Sequence, residues 1–189
     1  MVLASGSGSN FQAILNAIDS GSLDASVSHL IASKPGIGAI QIASGARIPV
    51  SIMSARLCGS PAEFEKQLLQ LLKDQNPALI VLAGWLLKIP SGVIQHFEGK
   101  IINIHPSLLP DYGGQGFYGI RVHQAVISDR RRISGCTVHL VTEEFDEGPV
   151  IARKQVPVYP EDSPETLATR VLEQEHQLLP ATIQKLLHP

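Results

Sequence analysis

The sequence is poor in the residues that mark several common classes of protein. Only two of its 189 residues are cysteine, Cys58 and Cys136, and they lie far apart. Two isolated thiols form no CxxC motif, which argues against a zinc knuckle or a disulfide framework and indicates a reducing compartment. No two histidines have metal-ligand spacing either. We therefore expect a cytoplasmic protein without a bound metal.

The chain also lacks an excess of charge and any long apolar run. Its 15 Lys and Arg residues nearly balance 17 Asp and Glu residues, for a formal charge of −2. Without a basic excess, binding to nucleic acid or to an anionic membrane is not expected. No apolar run approaches the roughly 18 residues of a transmembrane helix, and the first residues lack the pattern of a signal peptide. We expect small-molecule partners and a monomer or homodimer.

Short apolar runs and helical patterns alternate over the first 110 residues. The runs are continuous, as expected of strands that a parallel sheet buries on both faces. Between them, apolar residues follow helical spacing, with Gly21 ending the first helix and Pro61 beginning the next clear one. This order predicts an α/β fold with a doubly wound, Rossmann-like, mostly parallel sheet. The predicted strands are Val2–Ala4, Val27–Ala32, Val50–Met53, Leu79–Ala83 and Ile101–Ile104.

The pattern changes after residue 110. Residues 111–119 are rich in glycine and predict a loop. Gly135–Val141 alternates between apolar and polar residues, which predicts a half-exposed antiparallel strand. Val150–Val156 is its expected partner, so this part of the chain should form an antiparallel hairpin.

A helix is predicted to close the chain. Ser163 is typical of an N-cap and is followed by Pro164, a favoured first helical residue. The helix should run toward Leu179, where Pro180 is expected to kink or restart it. We therefore expect a single domain over residues 1–189, with a Rossmann-like half at 1–110 and a loop, hairpin and C-terminal helix at 111–189.

The turn between the first strand and the first helix reads Ser5-Gly6-Ser7-Gly8-Ser9-Asn10. Glycines let the backbone approach a ligand, and the free N–H groups of a helix N-terminus favour an anion such as phosphate. The turn is not a dinucleotide fingerprint, because Phe11 replaces the third glycine of GxGxxG. The alternative is a tight turn in which Ser9 or Asn10 is an ordinary N-cap.

A second candidate site lies in Asn103-Ile104-His105-Pro106. Residues i and i+2 of a strand point to the same face, so the amide and the imidazole should project side by side. Pro106 cannot donate to a strand partner and should end the strand, which places both side chains at its carboxyl edge. Open α/β sheets bind their ligands at that edge. The alternative is a core Asn and His that form hydrogen bonds with the backbone.

The acidic segment Glu143–Gly148 contains a third candidate, Asp146. Such segments are usually solvated turns, but one carboxylate could instead reach His105 and raise its pKa. Spacing alone does not show this contact. We interpret His29 and His139 as structural residues, and the sequence contains no Gly-x-Ser-x-Gly nucleophile motif that would indicate an acyl-enzyme.

Six segments, taken together and in order, resemble the folate-dependent formyltransferases, and the resemblance covers nearly the whole chain. The Asn-x-His-Pro-Ser-Leu-Leu-Pro segment with a later Asp is specific to this family. The opening Gly-Ser-Gly-Ser-Asn and the short length resemble its phosphoribosylglycinamide formyltransferases (glycinamide ribonucleotide transformylases). The segments are Gly6–Asn10, Ile80–Gly84, Asn103–Pro110, Gly135–His139, Asp146–Pro149 and Gln174–His176.

This resemblance implies an activity, a co-substrate and a set of site residues. The activity is formyl transfer from 10-formyltetrahydrofolate to the primary amine of 5-phosphoribosylglycinamide, a step of purine biosynthesis, without a metal. Asn103, His105 and Asp146 fall on the catalytic positions. The implied substrate-binding residues are Gly8, Ser9 and Asn10 for the phosphate and Glu175 for the ribose. The implied folate-binding residues are Leu86, Leu87, Lys88, Ile89 and Asn103.

The chemistry of formyl transfer suits these residue types. An amine attacks the formyl carbon and creates a tetrahedral oxyanion, to which the Asn103 amide and a protonated His105 could donate. His105, or a water held by Asp146, could move the proton. Two alternatives stay open at this point. One is a formyltetrahydrofolate deformylase-like hydrolase with water as the acceptor, and the other is a non-catalytic phosphate-sugar binding module.

Overall fold

The computed structural model describes residues 1–189 and alternates strands with helices. No helix combines the length and the apolar character needed to cross a lipid bilayer. The strands are β1 (Val2–Ala4), β2 (Leu30–Ala32), β3 (Val50–Ile52), β4 (Ile80–Leu82), β5 (Ile101–His105), β6 (Ile133–Leu140) and β7 (Val150–Pro157). The helices are α1 (Ser9–Asp19), α2 (Gly38–Gly45), α3 (Ala55–Cys58), α4 (Pro61–Gln75), α5 (Ser91–His96), α6 (Ile120–Ser128) and α7 (Pro164–Leu187).

All seven strands form one sheet in the order β3-β2-β1-β4-β5-β6-β7. The first five strands pair in parallel, and β6 and β7 extend the sheet as an antiparallel hairpin. This confirms the predicted doubly wound, mostly parallel α/β sheet with a C-terminal hairpin and a closing helix. Because β1 lies between β2 and β4, the winding direction reverses there, and the carboxyl ends of the parallel strands share one edge. That edge carries the glycine-rich turn after β1 and the end of β5.

Helices cover both faces of the sheet. On one face α1 and α7 bury Phe11, Val171 and Leu179 against the strands. On the other face α4 and α5 bury residues such as Phe64 and Val93. The central strands are therefore buried on both sides, which explains why their apolar runs do not alternate with polar residues.

The predicted half-exposure of β6 is wrong. Thr137 is 0% exposed and His139 is 2% exposed, although both are polar. The segment after β5 covers this face of the hairpin, and Thr137 Oγ1 donates to the Ser107 carbonyl at 2.7 Å and accepts from the Leu109 N–H at 3.1 Å. The alternation in β6 therefore reflects two buried faces. One face is apolar, and the other carries polar side chains that form hydrogen bonds inside the protein.

The helix does not restart at Pro180, because α7 continues through it to Leu187. Leu178, Leu179 and Ile183 are buried on both sides of the proline. Their packing offsets the roughly 3 kcal/mol that a proline costs inside a helix. Sequence patterns did not predict α2, α3, α5 and α6, of which the longest has nine residues, since such short helices show little periodicity.

Candidate active site

The structure brings Asn103, His105 and Asp146 together. The two β5 side chains project on one face, and the loop between β6 and β7 carries Asp146 over them. Asp146 Oδ1 lies 3.3 Å from Asn103 Nδ2, and Asp146 Oδ2 lies 3.4 Å from His105 Nδ1. The three side chains predicted from the sequence therefore form one contact group at the carboxyl edge of the sheet.

The position of Asp146 depends on its own backbone and on two glycines. Its φ of 58° is in the left-handed region, which Asp tolerates better than most residues. The Gly114 N–H donates to Oδ2 at 3.0 Å. A Cβ on Gly113 would lie 3.2 Å from the Asp146 Cβ, so a larger residue would crowd the carboxylate. Burial favours a neutral carboxyl, but His139, His105 and the Gly114 N–H outweigh it and hold the pKa of Asp146 below its usual value.

Sequence reasoning missed His139, which belongs to this group. Register places His139 opposite Asn103 across β5 and β6, and its Nε2 lies 3.1 Å from Asn103 Nδ2 and 3.4 Å from Asp146 Oδ1. Its Nδ1 donates to the Leu140 carbonyl at 2.8 Å. Nε2 can therefore accept from Asn103 when the ring is neutral and donate to Asp146 when it is protonated. The alternation in β6 shows that His139 and Thr137 share a face. It does not show which strand pairs with β6, so no pattern in the sequence indicated that His139 lies beside Asn103.

His105 has a defined orientation. It is 4% exposed, and its Nε2 lies 2.8 Å from the Tyr112 carbonyl oxygen. A carbonyl only accepts hydrogen bonds, so Nε2 carries the proton and Nδ1 faces Asp146. Burial lowers the pKa of His105 below 6.5. The Asp146 charge and the Tyr112 carbonyl act in the opposite direction but are outweighed. Asp146 does raise this pKa, as the sequence suggested, but desolvation outweighs the carboxylate and the net pKa is lowered.

The glycine-rich turn leads into α1 at Gly8, which has a φ of 85°. A Cβ at this position would lie 2.7 Å from the Ala39 Cα, so glycine alone fits. Gly8 is itself the N-cap, and no side chain caps the helix, which overturns the alternative of a Ser9 or Asn10 cap. The first N–H groups of α1 therefore lack a side-chain acceptor, as an anion site requires.

Asn10 connects this turn to α7. Its Nδ2 donates to Glu175 Oε2 at 2.6 Å. Glu175 is 6% exposed, and burial raises its pKa to about 7 against the opposing effect of Asn10. A buried carboxyl near half-ionisation is thus held beside the candidate phosphate turn.

One cavity of about 650 Å³ contains most of these groups. Its volume suits small organic ligands. Gly8 and Ser9 do not border it, and Ser9 faces a separate shallow groove. No group of three or more His, Cys, Asp or Glu side chains is arranged to hold a metal ion. The sequence-predicted residues that line the cavity are Asn10, Leu86, Leu87, Lys88, Ile89, Asn103, His105, Asp146 and Glu175.

The chain is similar over most of its length to proteins of a known family. Residues 1–183 match the family described as formyl transferase. The chain is 42% identical over 186 residues to the chloroplastic phosphoribosylglycinamide formyltransferase of Vigna unguiculata, covering 98% of this chain and 59% of that protein. It is 37% identical to the phosphoribosylglycinamide formyltransferase of Bacillus subtilis, covering 98% of this chain and 93% of that protein.

A solved structure shows the same fold. The phosphoribosylglycinamide formyltransferase of Bacillus halodurans superposes with a TM-score of 0.91 at 36% identity, covering 99% of this chain and 94% of that one. The chain spans about three fifths of the length of the plant relative and nearly all of the bacterial ones. On the match over residues 1–183, this chain belongs to the formyl transferase family.

Proposed function

We propose that this chain transfers a formyl group from 10-formyltetrahydrofolate to the primary amine of 5-phosphoribosylglycinamide in purine biosynthesis. The observation that carries the proposal is the convergence of Asn103, His105 and Asp146 in one cavity. The same cavity is bordered by Glu175, which we assign to the substrate side, and by Leu86–Ile89, which we assign to the folate side. The names of the plant and bacterial relatives support the same activity.

The reaction begins when the neutral amine attacks the formyl carbon. A C–N bond forms, and the carbonyl electrons move onto oxygen to give a tetrahedral oxyanion. We assign the donor to this oxyanion to Asn103, because the neutral His105 ring carries its only N–H at Nε2, and that N–H already donates to the Tyr112 carbonyl. The Asn103 amide contacts of 3.1 and 3.3 Å are long, so a substrate oxygen can compete for one N–H. One such donor is typically worth about 3 kcal/mol of transition-state stabilisation.

His105 is the proton acceptor in this proposal. At neutral pH its lowered pKa leaves Nδ1 unprotonated. When Nδ1 takes the proton from the attacking amine, the resulting imidazolium has an acceptor at each end, Asp146 and the Tyr112 carbonyl. Collapse of the intermediate breaks the bond to the folate nitrogen, and the proton passes to that nitrogen. General acid–base catalysis of this kind contributes roughly 10²–10⁴-fold.

Binding of the two substrates divides between the two ends of the site. Gly8, Ser9 and Asn10 would hold the phosphate at the start of α1, and Glu175 would contact the ribose. Leu86, Leu87, Lys88 and Ile89 would line the folate pocket. We further propose that residues 1–189 act as one formyltransferase domain in the cytoplasm, as a monomer or homodimer. The free thiols of Cys58 and Cys136 support a reducing compartment.

The test is to mix purified protein with 10-formyltetrahydrofolate, with and without 5-phosphoribosylglycinamide, and to follow tetrahydrofolate and formylated amine. We expect folate product only when the amine is present, and its amount should equal that of the formylated product. Equal folate production in both tubes would identify a deformylase instead. No turnover in either tube, together with retained binding of the phosphoribosyl compound, would indicate a non-catalytic binding module. A His105→Ala variant is the matched control and should be inactive.

A further inference from the structure

The carbonyl that accepts the hydrogen bond from His105 belongs to a residue with an unusual backbone conformation. The Tyr112 carbonyl oxygen lies 2.8 Å from His105 Nε2, and Tyr112 has a φ of 56°. A bulky residue rarely adopts this left-handed conformation, so the surrounding structure must hold it. The direction of the carbonyl, and with it the orientation of His105, depends on whatever fixes Tyr112.

Polar groups outside the cavity fix the Tyr112 side chain. Its hydroxyl donates to Asp129 Oδ2 at 2.7 Å and accepts from Arg131 Nε at 3.0 Å. The Arg131 guanidinium also lies 5.7 Å from the Tyr112 ring centroid and 3.1 Å from Asp111 Oδ2. The Asp111 carbonyl in turn accepts from Ser107 Oγ at 2.5 Å. The start of the glycine-rich loop is thus tied to the turn that joins α6 to β6.

We propose that Tyr112, Asp129 and Arg131 form a positioning clamp that acts on His105 through the Tyr112 carbonyl. This role rests on the proposed function, since it requires His105 to be the base. None of the three side chains borders the cavity, so none touches substrate. The clamp keeps Nε2 engaged and thereby keeps Nδ1 as the nitrogen that faces Asp146 and the reacting amine.

Three other titratable side chains face His105 from elements outside the clamp. Asp146 faces it from the loop after β6, His139 from β6 and His123 from α6. Burial, and then His105 itself, lower the pKa of His123 to about 4, so it stays neutral near pH 7. Burial and the Asp129 hydrogen bond raise the pKa of Tyr112, so its hydroxyl remains a donor throughout. A change in the clamp should therefore alter the titration of His105 mainly through Nε2, and through Asp146 only where Gly114 also moves.

The first test is Tyr112→Phe, which removes only the hydroxyl. We expect kcat to fall about 10-fold, less than the roughly 100-fold that a misplacement of 1 Å can cause. KM for both substrates should change less than about 2-fold, since the binding groups are untouched. The acid limb of the kcat/KM profile should move to lower pH, because a weaker bond to the carbonyl lowers the pKa of His105. Asp129→Asn should shift both quantities in the same direction.

The matched control is Tyr159→Phe. Tyr159 also lies under an arginine, with the Arg170 guanidinium 4.5 Å from its ring centroid, but it is outside the cavity. This variant should keep the wild-type kcat and pH profile. A Tyr112→Phe enzyme with wild-type kcat and pH profile would overturn the clamp. So would a loss of kcat that follows thermal destabilisation while the pH profile stays unchanged.

A readout without turnover separates this inference from the proposed function. Ring-nitrogen NMR of ligand-free protein should show the His105 proton on Nε2, and Tyr112→Phe should lower the His105 titration midpoint and speed exchange of that proton. If the wild type transfers no formyl group, the proposed function is wrong. The spectra would still test whether the clamp orients His105, because they do not depend on turnover. Unchanged His105 spectra in Tyr112→Phe would refute the clamp even in an active enzyme.

Discussion

Replacing Asp146 by asparagine should lower kcat at least about 100-fold and leave the fold intact. Asparagine has the same shape as aspartate and tolerates the φ of 58° at this position, so the backbone is not strained. The change removes the charge and turns one acceptor oxygen into an amide donor. Asp146→Asn therefore tests the charge and the acceptor capacity of this side chain without changing its shape.

The magnitude follows from the contacts of the carboxylate. One oxygen accepts from the Gly114 N–H and the other from Asn103, so either orientation of the new amide places a donor against a donor. The His105 imidazolium also loses an ion partner at 3.4 Å, an attraction of about 5 kcal/mol at an effective dielectric constant of about 20. A 100-fold loss of rate corresponds to about 2.7 kcal/mol, roughly half of that attraction.

The assay is steady-state formation of formylated amine at saturating concentrations of both substrates, with binding of the phosphoribosyl substrate measured by calorimetry. Glu147→Gln is the matched control, because Glu147 is the exposed neighbouring carboxylate and does not border the cavity. Binding by Asp146→Asn should stay within a few-fold of wild type. Turnover close to wild type in Asp146→Asn, or an equal loss in Glu147→Gln, would refute the reasoning.

Three further predictions concern groups around the site and the end of the hairpin. Burial raises the pKa of Glu175 to about 7, so its stabilising effect is complete below pH 4.5 and is lost as the pH rises through 7. Urea titrations should compare the free energy of unfolding of wild type with that of Glu175→Gln. The difference, wild type minus variant, should fall by on the order of 3 kcal/mol between pH 4.5 and pH 8. A difference that stays constant over this range would contradict the pKa shift. Gly113→Ala places a Cβ 2.5 Å from Leu109 Cδ2 and 3.2 Å from the Asp146 Cβ, and should cost about 1–3 kcal/mol in urea unfolding. Its kcat should also fall, and an unchanged kcat would show that Asp146 does not depend on this glycine. The Arg170 guanidinium beside Asp162 holds the pKa of that carboxyl well below its usual range. The Asp162 carboxylate therefore stabilises the fold above pH about 4, and this stabilisation is lost as the pH falls through the pKa of Asp162 in the folded protein. Asp162→Asn should therefore be less stable than wild type in urea at pH 7, with a smaller difference at pH 3; an equal difference at both values would rule this out.

Much of the fold could be predicted from local patterns. The continuous apolar runs indicated strands buried on both faces, and the structure confirms parallel strands there. Pro61 and Pro164 do begin α4 and α7, and Ser60 and Ser163 cap them. These features depend on residues close in sequence, whose steric and hydrogen-bonding preferences are the same before and after folding.

The candidate site could be predicted only in part. Asn103 and His105 were predicted as a pair because strand geometry fixes the direction of residues i and i+2. Asp146 was a candidate from its acidic segment, but only the family resemblance assigned it to the catalytic group, since no local rule joins it to His105. His139 was interpreted as structural, because its role depends on the strand that pairs with β6.

The sequence by itself determined the order of the strands, the positions of α1, α4 and α7, the turn at Gly8 and the shared face of Asn103 and His105. Each of these follows from local sterics and side-chain periodicity. Only the tertiary structure decided that Asp146 reaches His105 and that the Tyr112 carbonyl holds Nε2. It also decided that burial lowers the pKa of His105 despite a neighbouring carboxylate. Those outcomes depend on distances and solvent exclusion between segments far apart in the chain, which residue order alone does not specify.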